Sequence, residues 1–246
     1  MTIVVQYTRT ALFYFLLATF TVFWSILLFF AIPFVPVNRR HKLLVKYWAV
    51  MAMGLARFIC GIKYEVHGKE NIPDTPCVMI SNHQSTWETF FLQMLFSPQA
   101  PVLKKELLKI PFFGWSIRLI KPIAINRDDP RAALNDVAEQ GTAALHDGRW
   151  VLIFPEGTRN PDGQLGKFSR GGVNLARKAG VNVLPIAHNA ATCWPMNSFL
   201  KKPGTIQLHI GTVIETTDRT ALEINNEAQS WIANTLDNIN GKSKQV

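Results

Sequence analysis

Two short polar segments carry the side chains that can do chemistry. The first, residues 82–88, places His83 five residues before Glu88 and so offers a base with a carboxylate to orient it. The second, residues 154–159, contains a glycine that permits a tight turn and ends in Arg159. A guanidinium is a planar donor well suited to phosphate. Together the two segments predict a site that deprotonates a hydroxyl group on a phosphate-bearing substrate.

The spacing of His83 and Glu88 restricts how they can meet. On one regular helix they would lie about 140° apart around the axis, so they would not touch. They can meet if His83 lies on the turn leaving a strand and Glu88 lies in the first turn of the next helix. Ser85 suits the N-cap of that helix, which also makes Glu88 the partner in an ordinary capping box. Both roles can coexist because a carboxylate has two oxygens.

Cationic side chains also follow other predicted strands. Lys104 and Lys105 come after the third strand and Arg127 after the fourth. Any one of them, Arg159 included, can equally be a solvated surface charge. Because the carboxyl ends of parallel strands share one edge of a sheet, the recurrence of cations there favours a phosphate site.

These segments are positioned by an alternating pattern of strands and helices. The alternation predicts the α/β class, with a mixed, largely parallel sheet flanked by helices. The predicted strands are 62–66, 77–81, 101–103, 123–125, 150–154, 181–187 and 205–210. The predicted helices are 87–95, 105–108, 129–146, 172–179 and 221–240.

The N-terminal part is hydrophobic and is predicted to be a two-helix membrane anchor (residues 1–60) before an α/β domain (residues 61–246). Residues 10–37 carry no charge, and up to Ile32 they would form a helix of about 35 Å, against a hydrocarbon core of about 30 Å. A cleaved signal peptide has a shorter apolar core, so we expect a retained anchor. The second apolar segment, residues 43–60, has an uncharged stretch too short to span. It is expected to lie in the membrane surface or to pack on the first.

Charge and cysteine content indicate which binding partner and which cellular compartment to expect. Six of the formal +9 charges lie in residues 1–60, which contain no acidic residue, so anionic lipid headgroups are the expected partner rather than nucleic acid. The excess of cations after the first apolar segment places the following domain in the cytoplasm. The three cysteines suggest no disulfide framework and no zinc site. Cys193 can be a nucleophile in principle, but nothing near it in sequence would lower the pKa of its thiol.

Four segments in order resemble the blocks of the glycerolipid acyltransferase family, whose best-known members are the 1-acylglycerol-3-phosphate acyltransferases. Residues 82–88 resemble the first block, 105–114 the second, 154–159 the third and 183–186 the fourth. Arg127 stands where the family carries an arginine for the substrate phosphate. The family usually has Asp at the position of Glu88, whose extra methylene lengthens the reach to His83. The hydrophobic N-terminal pair is similar to that of the bacterial members.

The resemblance implies transfer of a fatty acyl group from acyl-CoA or acyl-carrier protein to the free hydroxyl of a lysophospholipid, most closely 1-acylglycerol-3-phosphate, at the bacterial inner membrane. It implies that His83 is the base, that Glu88 orients it, and that no cofactor or metal takes part beyond the thioester co-substrate. The substrate-binding residues that it implies are Lys105, Arg127, Glu156, Gly157, Thr158 and Arg159, with the backbone at Gly157 expected to bind the oxyanion and Glu156 either the glycerol or its own loop.

Two other classes of function stay open. Water in place of the lipid hydroxyl would make the same site a thioester hydrolase. A degenerate pocket would leave a non-catalytic lipid-binding protein. His188, which follows the sixth predicted strand, is expected either to line the site or to be a hydrogen-bonded structural histidine.

Overall fold

Residues 2–111, 113–126, 128–160 and 165–241 are described by the computed structural model, and within them a seven-stranded sheet forms the centre. The strands are β1 (Ile62–His67), β2 (Val78–Ser81), β3 (Gln99–Lys104), β4 (Ile123–Ile125), β5 (Trp150–Ile153), β6 (Val183–His188) and β7 (Gly204–Ile210). Their order is β1-β7-β6-β2-β5-β3-β4. Only the β6–β7 pairing is antiparallel among these described strands. The predicted mixed, largely parallel α/β sheet is therefore confirmed.

Helices cover both faces of this sheet. They are α1 (Ile3–Ala31), α2 (Val37–His41), α3 (Tyr47–Cys60), α4 (Trp87–Leu95), α5 (Phe113–Arg118), α6 (Pro130–His146), α7 (Gly171–Ala179) and α8 (Ala221–Ile239). Local signals set several of their starts. Asp129 caps α6 through a side-chain bond from Ala132 N–H, and Thr220 and Glu223 form a capping box at α8. The predicted helix at 105–108 is a 3₁₀ turn, Lys105–Lys109.

The core has two layers, one on each face of the sheet. On one face, α6, α7 and α8 pack over side chains such as Val78, Val151 and Val183. On the other face, α1, α3 and α4 pack over Met79 and Leu184. Both faces of β2 and β6 are consequently buried, which explains their continuous apolar sequences.

The N-terminal helices form a hairpin. A π-helical turn at Lys42–Lys46 joins α2 to α3, so the second arm is helical from Val37 to Cys60. The expectation that the second segment packs on the first is confirmed. The expectation that it is too short to span was drawn from its uncharged stretch alone. The full helix Arg39–Cys60, like Ile3–Ala31, is long and apolar enough to cross a membrane by length and composition. The division into residues 1–60 and 61–246 stays a prediction.

Candidate active site

The loop between β2 and α4 brings His83 and Glu88 into contact. His83 lies two residues after the end of β2, and Glu88 is the second residue of α4. The Nδ1 atom of His83 is 2.8 Å from Oε1 of Glu88. The chain therefore makes the contact across a strand-to-helix turn, as the spacing predicts.

Glu88 is fully buried, and its hydrogen bonds are made by one carboxylate oxygen, since Oε2 has no hydrogen-bond partner among the described residues. Its Oε1 atom accepts from the backbone N–H of Gln84 (2.9 Å) and of Ser85 (2.7 Å) as well as from His83. Burial raises the pKa of this carboxyl, but the imidazoles of His188 and His83 and the Ser85 N–H together outweigh burial and leave the pKa below its ordinary value. Glu88 is thus ionised at neutral pH.

The helix start differs by one residue from the predicted capping box. The N-cap of α4 is Thr86, which makes no side-chain cap. Ser85 Oγ accepts from the N–H of Trp87 at 3.0 Å, and the Ser85 N–H donates to Glu88. Glu88 therefore holds the turn before the helix and orients His83 with the same oxygen.

The backbone and ring of His83 are held by the loop after β5. The His83 N–H donates to Oε1 of Glu156 at 2.7 Å, and its carbonyl accepts from Asn160 N–H at 2.9 Å. The imidazole stacks on Phe154 with ring centroids 3.8 Å apart. With Nδ1–H donated to the ionised Glu88, the neutral ring carries its lone pair on Nε2, the arrangement that a general base requires.

His83 opens on a cavity of about 580 Å³ between the sheet and the N-terminal hairpin. Polar, cationic and apolar side chains line it. The lining includes Thr158, Arg159 and Lys104 together with Trp24, Leu44, Trp48, Phe90, Leu103 and Ile117. The arrangement places a histidine and two cations in one cavity with many apolar side chains.

A family model described as Acyltransferase matches residues 63–189, over half of the chain.

The chain belongs to the acyltransferase family.

Similar proteins agree with this membership. A 1-acyl-sn-glycerol-3-phosphate acyltransferase of Pseudomonas aeruginosa is 50% identical over 245 residues, which are 98% of this chain and 95% of that protein. The mouse 1-acyl-sn-glycerol-3-phosphate acyltransferase alpha is 32% identical over 181 residues, 73% of this chain and 63% of that protein. The crystal structure of the 1-acyl-sn-glycerophosphate acyltransferase PlsC of Thermotoga maritima superposes with a TM-score of 0.80 at 25% identity, covering 98% of both chains. The predictions of the family and of an O-acyltransferase enzyme are confirmed.

Some of the predicted binding residues of this acyltransferase line the cavity, and others do not. Arg159 and Thr158 line the cavity with His83. The Nε atom of Arg159 is buried and has no hydrogen-bond partner within the described ranges. Lys105 is exposed at the start of a 3₁₀ turn and does not line the cavity. Arg127 lies outside the described residues.

Lys104, not Lys105, lines the cavity. Both cations follow the third predicted strand, and Lys105 is the predicted binding residue. The predicted strand ends at residue 103, whereas β3 continues to Lys104. Four consecutive residues at the end of β3, from Pro101 to Lys104, line the cavity, so the alternation of side chains along a strand does not predict which cation does so.

Glu156 and Gly157 both make hydrogen bonds to other groups of the protein. Glu156 accepts from His83 N–H with one oxygen and from Gly166 N–H (2.8 Å) and the Asn160 side chain with the other. The sequence left two roles open for Glu156, binding glycerol or holding its own loop. These hydrogen bonds favour the second role. Gly157 has a φ of 71°, which explains the glycine, and its N–H donates to the carbonyl of Phe154 at 3.1 Å. That N–H is therefore not free for an oxyanion.

Cys193 is a buried thiol, and burial raises its pKa. A nucleophilic cysteine needs the opposite shift, so the inert interpretation of Cys193 is supported. Within the part of the chain that the structure describes, no three His, Cys, Asp or Glu side chains are grouped so that they can hold a metal ion.

Proposed function

We propose that this acyltransferase moves a fatty acyl group from acyl-CoA or acyl-carrier protein to the free hydroxyl of 1-acylglycerol-3-phosphate and so forms phosphatidic acid. The observation that carries the proposal is the contact of His83 with an ionised Glu88 at the rim of a cavity that Arg159 also lines. The names of the relatives support the choice of acceptor.

In the proposed reaction, Nε2 of His83 takes the proton of the acceptor hydroxyl while its oxygen attacks the thioester carbonyl carbon. The tetrahedral intermediate collapses by breaking the carbon–sulfur bond, and the imidazolium returns its proton to the leaving thiolate. The negative Glu88 stabilises the imidazolium between the two steps. No acyl-enzyme is required, since the thioester is already activated, and the buried Cys193 is consistent with that.

Arg159 is proposed to hold the acceptor phosphate. Arg159 lines the cavity together with His83, and a guanidinium offers the planar donors that bind a phosphate. Lys104 adds a second cation from β3. Lys105 and Arg127 remain predicted contributors to phosphate binding. Fixing the phosphate would hold the hydroxyl near the base, which lowers the entropic part of the barrier.

The apolar part of the cavity supports an acyl-chain site. Its walls come from the hairpin residues Trp24, Leu44 and Trp48 and from Phe90 of α4. A cavity of this size with mostly apolar walls and a few polar groups at one end is typical of lipid-sized ligands. The hairpin would then form part of the substrate site.

The hairpin is proposed to attach the enzyme to the inner leaflet of a bacterial inner membrane, with the α/β part in the cytoplasm. Many large apolar side chains on its outer surface are exposed, including Val4, Phe15, Phe23, Phe30, Phe34 and Phe58. Anionic headgroups are the proposed partners of its cations Arg39, Arg40, Lys42 and Lys46. Both substrates can then reach the cavity from the membrane surface.

A panel assay tests the proposal. Protein reconstituted in liposomes is given one radiolabelled acyl thioester, first as the CoA and then as the carrier-protein ester, with each of several lysophospholipids. We expect labelled phosphatidic acid from 1-acylglycerol-3-phosphate. Thioester cleavage without an acceptor would favour a hydrolase. Lipid binding without transfer to any acceptor would favour a binding protein.

The His83→Ala variant tests the base in the same assay. Removing a positioned general base costs about 10² to 10⁴ in rate, so kcat should fall by that factor while lysophospholipid binding is retained. His146→Ala is the control, because His146 ends α6 before the amino end of β5 and does not line the cavity. Near-normal turnover by His83→Ala would refute the assignment.

A further inference from the structure

A second histidine lies directly behind the catalytic loop. His188 is the last residue of β6 and is completely buried. Strand β6 pairs with β2 in parallel, with Ser81 opposite Ile186, so the residues that follow these strands leave the sheet side by side. His188 therefore lies beside Asn82 and His83, although it does not line the cavity.

The hydrogen bonds of His188 define one neutral tautomer. The N–H of Ala190 donates to Nδ1 of His188 at 3.3 Å, so Nδ1 is the acceptor nitrogen and Nε2 carries the proton. Nε2–H then donates to the carbonyl oxygen of Asn82 at 2.9 Å. Protonation would place a second N–H against that of Ala190, and burial lowers the pKa of His188.

The carbonyl of Asn82 and the N–H of His83 belong to the same peptide unit. His188 from β6 donates to its oxygen, and Glu156 from the loop after β5 accepts from its N–H at 2.7 Å. In a trans peptide these groups point in opposite directions, so two bonds at opposite ends prevent the plane from rotating. The orientation of this plane sets φ of His83 and with it the direction in which the imidazole leaves the chain.

The side chain of Asn82 reinforces the same junction. Its Oδ1 accepts from the N–H of His188 at 3.1 Å, and its Nδ2 donates to the carbonyl of His188 at 2.9 Å. The exits of β2 and β6 are thus joined by three bonds between two residues. A buried cluster of this kind has no need of an imidazole for packing alone, since an apolar side chain of similar size would fill the space.

We propose that His188 is a positioning residue for acyl transfer: its Nε2–H holds the Asn82–His83 peptide so that Nε2 of His83 is aimed at the acceptor hydroxyl. The inference rests on the proposed function. His188 does not touch substrate, so its loss should change the rate of the chemical step and leave the affinities for both substrates unchanged.

Two substitutions separate positioning from packing. His188→Leu keeps a similar volume but removes the donor to Asn82. His188→Gln keeps a donor at about the distance of Nε2. Since small misplacement of a reacting group can cost about 100-fold, we expect kcat to fall about 10- to 100-fold in His188→Leu, with both KM values unchanged. His188→Gln should restore most of the rate.

The matched control is His146→Leu, which removes another imidazole-to-carbonyl contact, from His146 to Ala179 at 3.3 Å, on the α6–α7 side of the sheet. It should transfer acyl groups like the wild type. Unchanged kcat in His188→Leu would overturn the proposal. So would equal loss of kcat in His188→Leu and His188→Gln, because the retained donor would then make no difference.

A measurement on the unsubstituted protein covers the case in which a variant does not fold. Nitrogen NMR of the ¹⁵N-histidine-labelled enzyme should show His188 as the neutral Nε2–H tautomer at neutral pH. A charged ring or the Nδ1–H tautomer would overturn the proposal. Failure of the proposed function is seen separately, as absence of transfer to 1-acylglycerol-3-phosphate by the wild type. The His188 comparison is then made with the lysolipid that the wild type does acylate.

Discussion

At the scale of single residues, the ionisation of Glu88 decides what His83 can do. An ionised Glu88 accepts the Nδ1–H and leaves the lone pair on Nε2, while a neutral side chain at the same place would not stabilise an imidazolium. The donors around Oε1 maintain that ionisation in a fully buried position. The glutamate side chain therefore reaches His83 and the backbone of its own turn together.

Glu88→Gln should reveal this ionisation through the pH dependence of stability. A lowered pKa in the folded state means that Glu88 contributes stability above the unfolded pKa of about 4.3 and loses it as pH falls through the folded pKa. We expect the variant to be less stable at pH 7 by about 1–3 kcal/mol. The difference should shrink as the pH falls below about 4. Denaturant unfolding in detergent at several pH values measures it.

The control for this series is Glu227→Gln, at an exposed ion pair with Arg219 on the protein surface. Exposed pairs contribute about 0–1 kcal/mol, so this change should leave the free energy of unfolding nearly constant at all pH values. A Glu88→Gln difference that grew in acid would mean that the folded pKa is raised, contrary to the donors seen around Oε1.

Arg159→Lys should act on the acceptor substrate. Lysine keeps the charge but loses the planar pair of donors, so the KM for 1-acylglycerol-3-phosphate should rise by about tenfold, or about 1.4 kcal/mol of binding. The KM for the thioester should not change. Initial rates with each substrate varied in turn measure both constants. Lys178→Ala, at an exposed cation of α7 outside the cavity, should change the two constants little.

An increase in the thioester KM alone would assign Arg159 to the donor. That result would move the phosphate of the acceptor to another cation, of which Lys104 is the one that lines the cavity together with Arg159. Lys104→Ala, measured in parallel, would then raise the KM for the acceptor.

At the scale of elements, the loop after β5 holds the turn that carries His83. Three residues of this loop make the contacts. Phe154 stacks on the imidazole, Glu156 accepts from the His83 N–H, and the Asn160 N–H donates to the His83 carbonyl. Glu156 also binds the loop to itself through Gly166. The sequence block at residues 154–159 thus helps to hold His83, in addition to its proposed part in binding phosphate.

Glu156→Gln distinguishes support of His83 by Glu156 from a contact of Glu156 with substrate. The amide can accept at one end only, so the bond to His83 or the bond to Gly166 is lost. We expect kcat to fall about 10- to 100-fold with KM for the acceptor unchanged, because the base is misplaced while the phosphate site remains. A rise in the acceptor KM with little change in kcat would show instead that Glu156 binds the glycerol.

Sequence patterns predicted most elements because their local signals agree with the fold. Strand β5 is apolar on both faces and lies inside the sheet, and Thr220 with Glu223 marks the start of α8. Helix α5 was missed, since only six residues form it and Pro111 and Gly114 suggest a turn. The pairing of His83 with Glu88 followed from their spacing. The hydrogen bond from the His83 N–H to Glu156 does not follow from spacing, because it depends on how the loops after β2 and β5 approach each other in the fold.

At the scale of the whole molecule, the hairpin lies along the α/β part instead of projecting from it. Near its start, Thr10 accepts from the N–H of Lys201 at 3.1 Å, and Phe13 packs edge-on against Trp194. Near its far end, Leu28 and Ile32 pack with Ile120 after α5. Sequence hydropathy could not show this arrangement, since the same apolar length suits a span and a helix docked along its side.

This packing limits how the hairpin can sit in a membrane. Helix α1 is 29 residues long, or about 44 Å, and it contacts the α/β part at both ends. To cross a bilayer upright, it would have to separate from those contacts or draw the domain into the hydrocarbon. We therefore expect the hairpin to lie in one leaflet with its exposed apolar side toward the lipid.

Labelling of single cysteines tests that expectation. In a variant with the three native cysteines replaced by alanine, Phe34→Cys marks the hairpin turn, where Phe34 is 88% exposed, and Lys202→Cys marks the α/β surface. With a membrane-impermeant maleimide, Lys202→Cys should react in inverted membranes and not in intact spheroplasts. Phe34→Cys should react from neither side until detergent is added, because a turn held within one leaflet reaches neither aqueous phase. Reaction of Phe34→Cys in spheroplasts would place the turn across the bilayer, and the contacts of Thr10 and Ile32 with the α/β part could not then persist in the membrane.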